Sequence, residues 1–306
     1  MNRILVTGHN GFVGRNLIPK LITQKAELIL PSKEDCDLRS YEQTNNFIAR
    51  YNPNIIIHLA AVCGGIGANK KQPYKFLHHN LLINNNIVQA SINNNIKKLV
   101  TFGSVCAYPK ITPLPFKEED IWNGQPESTN HGYGESKRVL MLMCQVAREQ
   151  YGLNAIHLIP TNMYGRYDNF DPETSHVIPA LIQKVHNAVK SKRPLTVWGT
   201  GNASRDFLHV SDCCNAIIQA AEHYNGVEPI NIGSGKEVSI KGLVAQIAKI
   251  IGYEGTIIYD KNKPDGQPRR RLDISRADKL LGWQPKIDLE KGLTDLIQWW
   301  RYNNGY

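Results

Sequence analysis

Three glycines set the strongest constraint on how this chain can fold. They lie in the run Gly8-His9-Asn10-Gly11-Phe12-Val13-Gly14, between an apolar strand at 4–7 and a helical segment. In that segment Val13, Leu17 and Leu21, with Ile18 and Ile22, share one face able to cover a sheet. The spacing G-x-x-G-x-x-G lets a backbone turn tightly and approach a pyrophosphate, whose charge then rests on the amides that open the helix. Because the strand precedes and the helix follows, the motif is read as a dinucleotide site rather than a chance turn.

The first half repeats this unit. Apolar strands are expected at 27–30, 55–59, 98–102 and 154–159, separated by segments of helical periodicity, the pattern of parallel strands joined by crossover helices. After about residue 160, Pro and Gly increase and short strands at 196–198 and 229–232 alternate with helices. The expected fold is α/β: a Rossmann-type doubly wound parallel sheet over 1–165 and a smaller C-terminal α/β substrate domain over 166–306. Ile232-Gly233 offers a return to the main sheet, so the two are expected to interleave. A last helix, capped by Asp288, carries Leu289, Leu293, Leu296 and Trp300.

Composition narrows the setting. The chain has 306 residues, 42% hydrophobic and 21% charged, ordinary for a globular protein with a large core. No apolar run approaches the roughly 20 residues needed to cross a bilayer, and Met1-Asn2 leads straight into the first strand without a signal pattern. A cytoplasmic enzyme without membrane partner is expected. The cysteines Cys36, Cys63, Cys106, Cys144, Cys213 and Cys214 show no metal-ligand spacing and read as reduced thiols, mostly small buried hydrophobes; no metal is expected. The formal charge of +9 is scattered, and its one tight run is Pro268-Arg269-Arg270-Arg271. Without an accompanying nucleic-acid motif it suits a polyphosphate ligand better than nucleic acid.

Which dinucleotide binds depends on the end of the second strand, Leu30-Pro31-Ser32-Lys33-Glu34-Asp35. Lys33 comes first and favours the phosphorylated cofactor, NADP(H), while Glu34 and Asp35 offer carboxylates to a ribose hydroxyl and so to NAD. Asp37-Leu38 is a candidate adenine contact, with an ordinary turn aspartate as the other reading. Tyr133-Gly134-Glu135-Ser136-Lys137 begins a helix, which puts Tyr133 and Lys137 one turn apart. Ser104 closes the fourth strand at the carboxyl edge, where open parallel sheets bind ligands. A lysine ammonium favours the phenolate of a nearby tyrosine, which can then trade a proton with a carbonyl or alcohol, and the serine can hold the same oxygen.

With these residues the chain resembles the extended short-chain dehydrogenase/reductases, and within them the GDP-L-fucose synthase group, epimerase/reductases acting on GDP-4-keto-6-deoxymannose. The resemblance runs nearly end to end. It is carried by Gly64-Gly65-Ile66 with Ala68-Asn69, the run from Gly103 to Lys110, Pro160-Thr161-Asn162-Met163-Tyr164-Gly165, and Ser175-His176-Val177-Ile178-Pro179-Ala180-Leu181. Further on come Val197-Trp198-Gly199, Arg205-Asp206-Phe207-Leu208-His209-Val210, and Lys263-Pro264-Asp265-Gly266 with Pro268-Arg269.

The resemblance implies roles. Ser104, Tyr133 and Lys137 would support hydride transfer to the sugar ketone, and Cys106 and His176 would move protons at the third and fifth sugar carbons. NADP(H) would lie along Gly8, Asn10, Gly11, Phe12, Val13, Gly14, Lys33, Asp37, Leu38, Leu59, Ala60 and Ala61. It would continue past Tyr133 and Lys137 to Pro160, Asn162, Met163 and His176. The GDP-sugar would meet Ser104, Val105, Cys106, Asn162, Val177, Lys184, Trp198, Arg205 and Lys263, whose basic groups suit a diphosphate. A homodimer is the expected assembly. Asn10 and Pro31 replace arginines common in the family at the cofactor phosphate, Lys184 replaces an arginine, and Tyr-Gly-Glu-Ser-Lys replaces the commoner Tyr-Ala-x-x-Lys.

Neighbouring readings differ in chemistry. Dehydratases of the same fold carry an acidic pair after the serine or threonine of the fourth strand, where this chain has Val105-Cys106. That argues against dehydration and leaves a reductase or an epimerase acting alone on another nucleotide-sugar as alternatives. A non-catalytic dinucleotide sensor would be expected to lack the tyrosine and lysine.

Overall fold

The computed structural model describes residues 3–172, 174–263 and 265–305. Pro264 of the Lys263-Pro264-Asp265-Gly266 motif lies outside the described residues, as do Met1 and Asn2. The strands are β1 (Arg3–Thr7), β2 (Glu27–Ile29), β3 (Ile55–His58), β4 (Lys98–Phe102), β5 (Ala155–Pro160), β6 (Asn162–Tyr164), β7 (Leu195–Trp198), β8 (Ser204–Arg205), β9 (Phe207–His209), β10 (Ile230–Ile232), β11 (Val238–Ser239) and β12 (Ile257–Asp260). The α-helices are α1 (Phe12–Thr23), α2 (Tyr41–Tyr51), α3 (Ile66–Lys71), α4 (Pro73–Asn93), α5 (His131–Tyr151), α6 (Val177–Ser191), α7 (Val210–His223), α8 (Ile240–Ile251), α9 (Ser275–Leu281) and α10 (Leu289–Asn303). No described helix is long and apolar enough to cross a membrane.

A six-stranded sheet runs β2-β1-β3-β4-β5-β10, and its pairings are parallel. Strand alternation decides which core each side chain joins. Ile4, Val6, Ile57, Val100, Phe102, Ile156 and Leu158 face α1 and α7, with Leu17, Leu21, Cys213, Cys214 and Ile217. Leu5, Ile56, Leu99 and Ala155 face the other way, onto α2, α4 and α5, with Ile48, Ile87, Leu140 and Cys144. The sheet is therefore doubly wound. The chain reverses direction across it between β1 and β3, the switch point where such sheets open a crevice at their carboxyl edge.

A second core joins α6, α8 and α10 to β7 and β9, through Ile182, Val185, Leu195, Val197, Phe207, Ile247, Leu296 and Trp300. Its last helix begins at Asp288, whose Oδ1 accepts from the Lys291 amide at 2.9 Å, so the acidic cap meets an unsatisfied helix amide. Late segments return to the first core. β10 pairs with β5, Ile230 against Leu158, and Trp283 is buried beside α7 with Nε1 donating to Asp212 O at 3.1 Å.

Two histidines lie inside the sheet layer, beneath the site. His58 Nδ1 meets Thr7 Oγ1 at 2.8 Å and its Nε2 meets Asn84 Oδ1 at 3.4 Å, while His157 Nδ1 meets Thr101 Oγ1 at 2.8 Å. Burial first, and then the charge of Lys137, pushes each imidazole down to about 3. In the unfolded chain both take up protons near the ordinary value of about 6.5. The unfolded state thus binds more protons in between, so this contribution is full above about pH 6.5 and is lost as pH falls toward 3. Burial raises Glu118 and Asp206, which titrate with the opposite sign, so the difference between variant and parent isolates one imidazole. His157→Gln should make stability between pH 6 and 4 less steep by about 1.4 kcal/mol per pH unit, read from denaturant unfolding. Equal slopes would contradict a neutral, buried His157.

Candidate active site

The glycine run forms a cradle at the switch point. Gly8 has φ +70°, a conformation that favours glycine, and a Cβ there would lie 2.7 Å from the Ala60 amide nitrogen. A Cβ on Gly14 would lie 2.5 Å from the Gly8 carbonyl oxygen and from the His9 backbone. The turn closes through Gly11 N donating to Gly8 O at 3.0 Å, and Ala60 N donates to Thr7 Oγ1 at 3.3 Å, which ties the turn to the end of β3. α1 starts at Phe12 and Val13 behind an N-cap glycine, which has no side chain to occupy the helix amides. His9 Nδ1 is buried with no hydrogen-bond partner among the described residues. Open amides, an unpaired ring nitrogen and a turn too tight for a Cβ fit a dinucleotide pyrophosphate.

Beyond β2, two of the acidic groups are engaged locally. Asp35 accepts from the Ser32 amide at 2.9 Å, and Asp37 takes Arg39 in a two-pronged pair with contacts of 2.9 and 2.5 Å. Arg39 holds the Asp37 carboxyl down to about 2. Leu38 turns its carbonyl to Asn86 Nδ2 at 2.9 Å. Lys33 and Glu34 are exposed.

Tyr133 and Lys137 share a face of α5. Lys137 is buried, with Nζ donating to Phe102 O at 2.9 Å and standing 5.7 Å from the centre of the Tyr133 ring. Burial lowers the lysine and raises the Tyr133 phenol well above its ordinary range; Cys63 and Cys106 raise the phenol further, while a hydrogen bond with Ser104 opposes them. Burial is the largest of these influences, so Tyr133 carries its proton. Ser104 caps a short turn over Val105–Ala107 and accepts from the Cys106 amide at 3.1 Å. Cys63, expected only to pack, is exposed, and its Sγ lies 3.6 Å from Tyr133 Oη.

Gly134 explains why the helix lacks the usual alanine. A Cβ there would lie 2.5 Å from the Cys106 carbonyl oxygen and 3.0 Å from Pro126 Cβ. The missing methyl lets α5 close onto the loop that carries Ser104 and Cys106.

His176 is the N-cap of α6, yet its side chain makes no capping hydrogen bond. Its Nδ1 instead faces Asp168 Oδ1 at 3.8 Å; the histidine side chain is half-exposed and the carboxylate buried. Ser175 packs on the Gly64-Gly65 loop, where Gly65 N donates to Thr174 O at 3.2 Å and Asn69 Nδ2 donates to Gly64 O at 2.8 Å. That contact brings the His176 segment over the loop bearing Cys63. Pro160 ends β5; Asn162 and Met163 continue in β6, with Asn162 Nδ2 donating to Asp206 O at 3.0 Å.

A second cluster surrounds Trp198 at the end of β7. Its exposed ring faces Lys184 Nζ at 4.8 Å and Lys263 Nζ at 5.5 Å from the ring centre. Lys184 lies two turns along α6 from Val177, and burial lowers its ammonium. Arg205 donates to Asp265 O at 3.3 Å and is pushed down to about 10 by burial and by Arg270. Cations around an aromatic face suit an anionic nucleotide.

The sequence profile of the NAD dependent epimerase/dehydratase family matches residues 4–233. The chain belongs to that family. It is 41% identical over 293 residues to the GDP-L-fucose synthase of Sinorhizobium fredii, covering 95% of this chain and 93% of that protein. A GDP-6-OMe-4-keto-L-xylo-heptose reductase from C. jejuni superposes with a TM-score of 0.92 at 29% identity, over 99% of this chain and 98% of that one. A GDP-L-fucose synthetase from Naegleria fowleri bound to NADP superposes with a TM-score of 0.90 at 26% identity, over 99% and 95% of the two chains.

Within this family member, sequence reasoning passed over Cys63, Asp168 and Arg270. Cys63 and Asp168 gave no local signal, because each matters through a partner distant in sequence. Arg270 did give one, as the centre of the chain's tight basic run.

Proposed function

We propose that this enzyme is an NADP-dependent epimerase/reductase of a GDP-4-keto-6-deoxy-sugar, GDP-L-fucose synthase-like in its reaction. The observation that carries the reading is the close approach of Gly134 to the Cys106 carbonyl. It puts a protonated phenol and a thiol beside one another at the same sheet edge. The names of the relatives support the substrate class.

NADPH, when bound, supplies the hydride for the ketone carbon. Tyr133 gives its proton to the ketone oxygen, Ser104 holds that oxygen, and Lys137 stands behind the ring to stabilise the phenolate left behind. Protons on the carbons flanking a ketone are acidic, because the carbanion spreads onto the carbonyl oxygen. Cys106 as thiolate removes such a proton, and His176, oriented by Asp168, returns one to the opposite face. Lys184, Trp198, Arg205 and Lys263 hold the GDP moiety. The absence of an acidic pair at Val105-Cys106 leaves no carboxyl acid for dehydration.

The preference for NADP rests on Lys33. Asp35 and Asp37 are engaged by their own turn and by Arg39, while Lys33, next to the equally exposed Glu34, is open in the turn that follows β2. A charge-assisted hydrogen bond to phosphate contributes roughly 1.5 to 3 kcal/mol. Lys33→Ala should therefore lower the ratio of NADPH to NADH efficiencies by about tenfold or more; an unchanged ratio removes Lys33 from this role.

Epimerisation is read by solvent deuterium during turnover. Wild type should take up deuterium at the third and fifth sugar carbons, and Cys106→Ser should lose that uptake while still reducing the keto-sugar. The C. jejuni neighbour, a reductase by name, motivates the second reading: an enzyme that reduces without inverting, for which wild type takes up deuterium at neither carbon.

A further inference from the structure

Beneath the site, hydrogen bonds run in series from the cofactor cradle to the catalytic helix. Ala60 N donates to Thr7 Oγ1 at 3.3 Å, and Thr7 Oγ1 meets His58 Nδ1 at 2.8 Å. His58 Nε2 meets Asn84 Oδ1 at 3.4 Å, and Asn84 Nδ2 donates to Ser136 O at 3.1 Å. None of Thr7, His58, Asn84 and Ser136 is more than 1% exposed, so bulk water does not stand in for a lost partner. Each link crosses to a different element: Thr7 closes β1 just ahead of Gly8, His58 closes β3, Asn84 lies on α4 and Ser136 on α5. Ser136 also donates from Oγ to Tyr133 O at 2.7 Å, so the series ends on the turn of α5 that carries Tyr133 and Lys137.

The partners fix every proton. The Ser136 carbonyl only accepts, so the Asn84 amide turns its nitrogen there and its oxygen toward the imidazole. That oxygen also only accepts, so His58 carries its proton on Nε2. Burial keeps the ring neutral, which leaves Nδ1 bare to take the Thr7 hydroxyl proton and the Thr7 oxygen open to the Ala60 amide. Hydrogen bonds in series polarise one another, and a buried network whose members are all satisfied specifies one arrangement of the elements it joins. The elements joined here are the two that reduction must hold in register, the turn of the dinucleotide cradle and the helix that presents the phenol. The ring also lies close enough to Lys137 for that charge to act on it.

We propose that His58, held between Thr7 and Asn84, is a positioning residue for hydride transfer, fixing α5 with Tyr133 and Lys137 against the cradle that carries the dinucleotide. This rests on Tyr133 being the acid of the reduction, and it deepens that reading by naming what keeps the acid in register with the hydride donor. His58 takes no part in the chemistry; its proton stays within the series.

The test is a double-mutant cycle on Thr7→Val and Asn84→Leu, each replacing a polar group by an apolar one of nearly the same volume. The rate of NADPH oxidation is followed in a single turnover with GDP-4-keto-6-deoxymannose, at saturating cofactor and sugar. Each variant should lose about tenfold or more, as misplacement of a catalytic group does, with the dissociation constant for NADPH little changed. The double variant should be no slower than the slower single one, because a broken series is not broken twice. His58→Gln, whose amide accepts at oxygen and donates at nitrogen as the ring does, should recover most of the rate that His58→Leu loses. Losses that multiply in the double variant would make Thr7 and Asn84 independent structural residues and overturn the proposal. Unchanged rates overturn it as well, and so does a loss explained wholly by weaker NADPH binding. Should the variants fail to fold, nitrogen NMR of wild type labelled in its histidine rings still decides: a proton on Nε2 of His58 is expected, and a proton on Nδ1 overturns the proposal. Failure of the underlying reading looks different: Tyr133→Phe then keeps its rate of NADPH oxidation, whereas failure of the proposal alone leaves Tyr133→Phe inactive and Thr7→Val as fast as wild type.

Discussion

The contact between the Gly134 backbone and the Cys106 carbonyl is the constraint on which the site depends. A methyl at position 134 would sit 2.5 Å from that oxygen. Without it, α5 carries Tyr133 down onto the loop after β4, where Ser104 and Cys106 wait. Reduction needs an acid at the ketone oxygen, and inversion needs a base at the neighbouring carbon. One backbone approach places candidates for both at the same edge of the sheet. A displacement of even about 1 Å at such a constellation can cost a hundredfold in rate.

Electrostatics follow from the same closeness. Lys137 is buried between two imidazoles that stay neutral, so its charge meets no second cation beneath it. The phenol above is kept protonated by burial. On the far side, the thiol of Cys106 faces Arg270 and, at longer range, Arg205. The site is thus graded: a proton donor on the α5 side, and the guanidinium groups of Arg270 and Arg205 on the other. Both features come from desolvation, which strengthens every charge left inside.

Much of this was legible in the sequence, because it depends on local pattern. The strands of the main sheet fall within one residue of the expected boundaries, since apolar runs alternate with helical periodicity there. The fold class and the family follow from the glycine triplet, Tyr133, Lys137 and Ser104. What stayed hidden depends on contacts across the chain. That Gly134 replaces alanine was visible, but its reason lies in a carbonyl 28 positions away in the chain, at Cys106. Cys63 read as a packing residue because nothing nearby showed it beside Tyr133. Arg270 read only as the centre of a basic run suited to a polyphosphate, and its approach to the Cys106 sulfur depends on the fold. Asp37 reads from the sequence as a turn residue or an adenine contact, and its two-pronged pair with Arg39 is a feature the sequence did not signal.

The measurement that bears most directly on the account is the product formed from GDP-4-keto-6-deoxymannose and NADPH, identified by NMR. An epimerase/reductase converts the pair to GDP-L-fucose, with inversion at the third and fifth carbons and one NADPH oxidised per sugar reduced. A product reduced at the fourth carbon with both neighbouring centres unchanged, or no oxidation of NADPH at all, would contradict it.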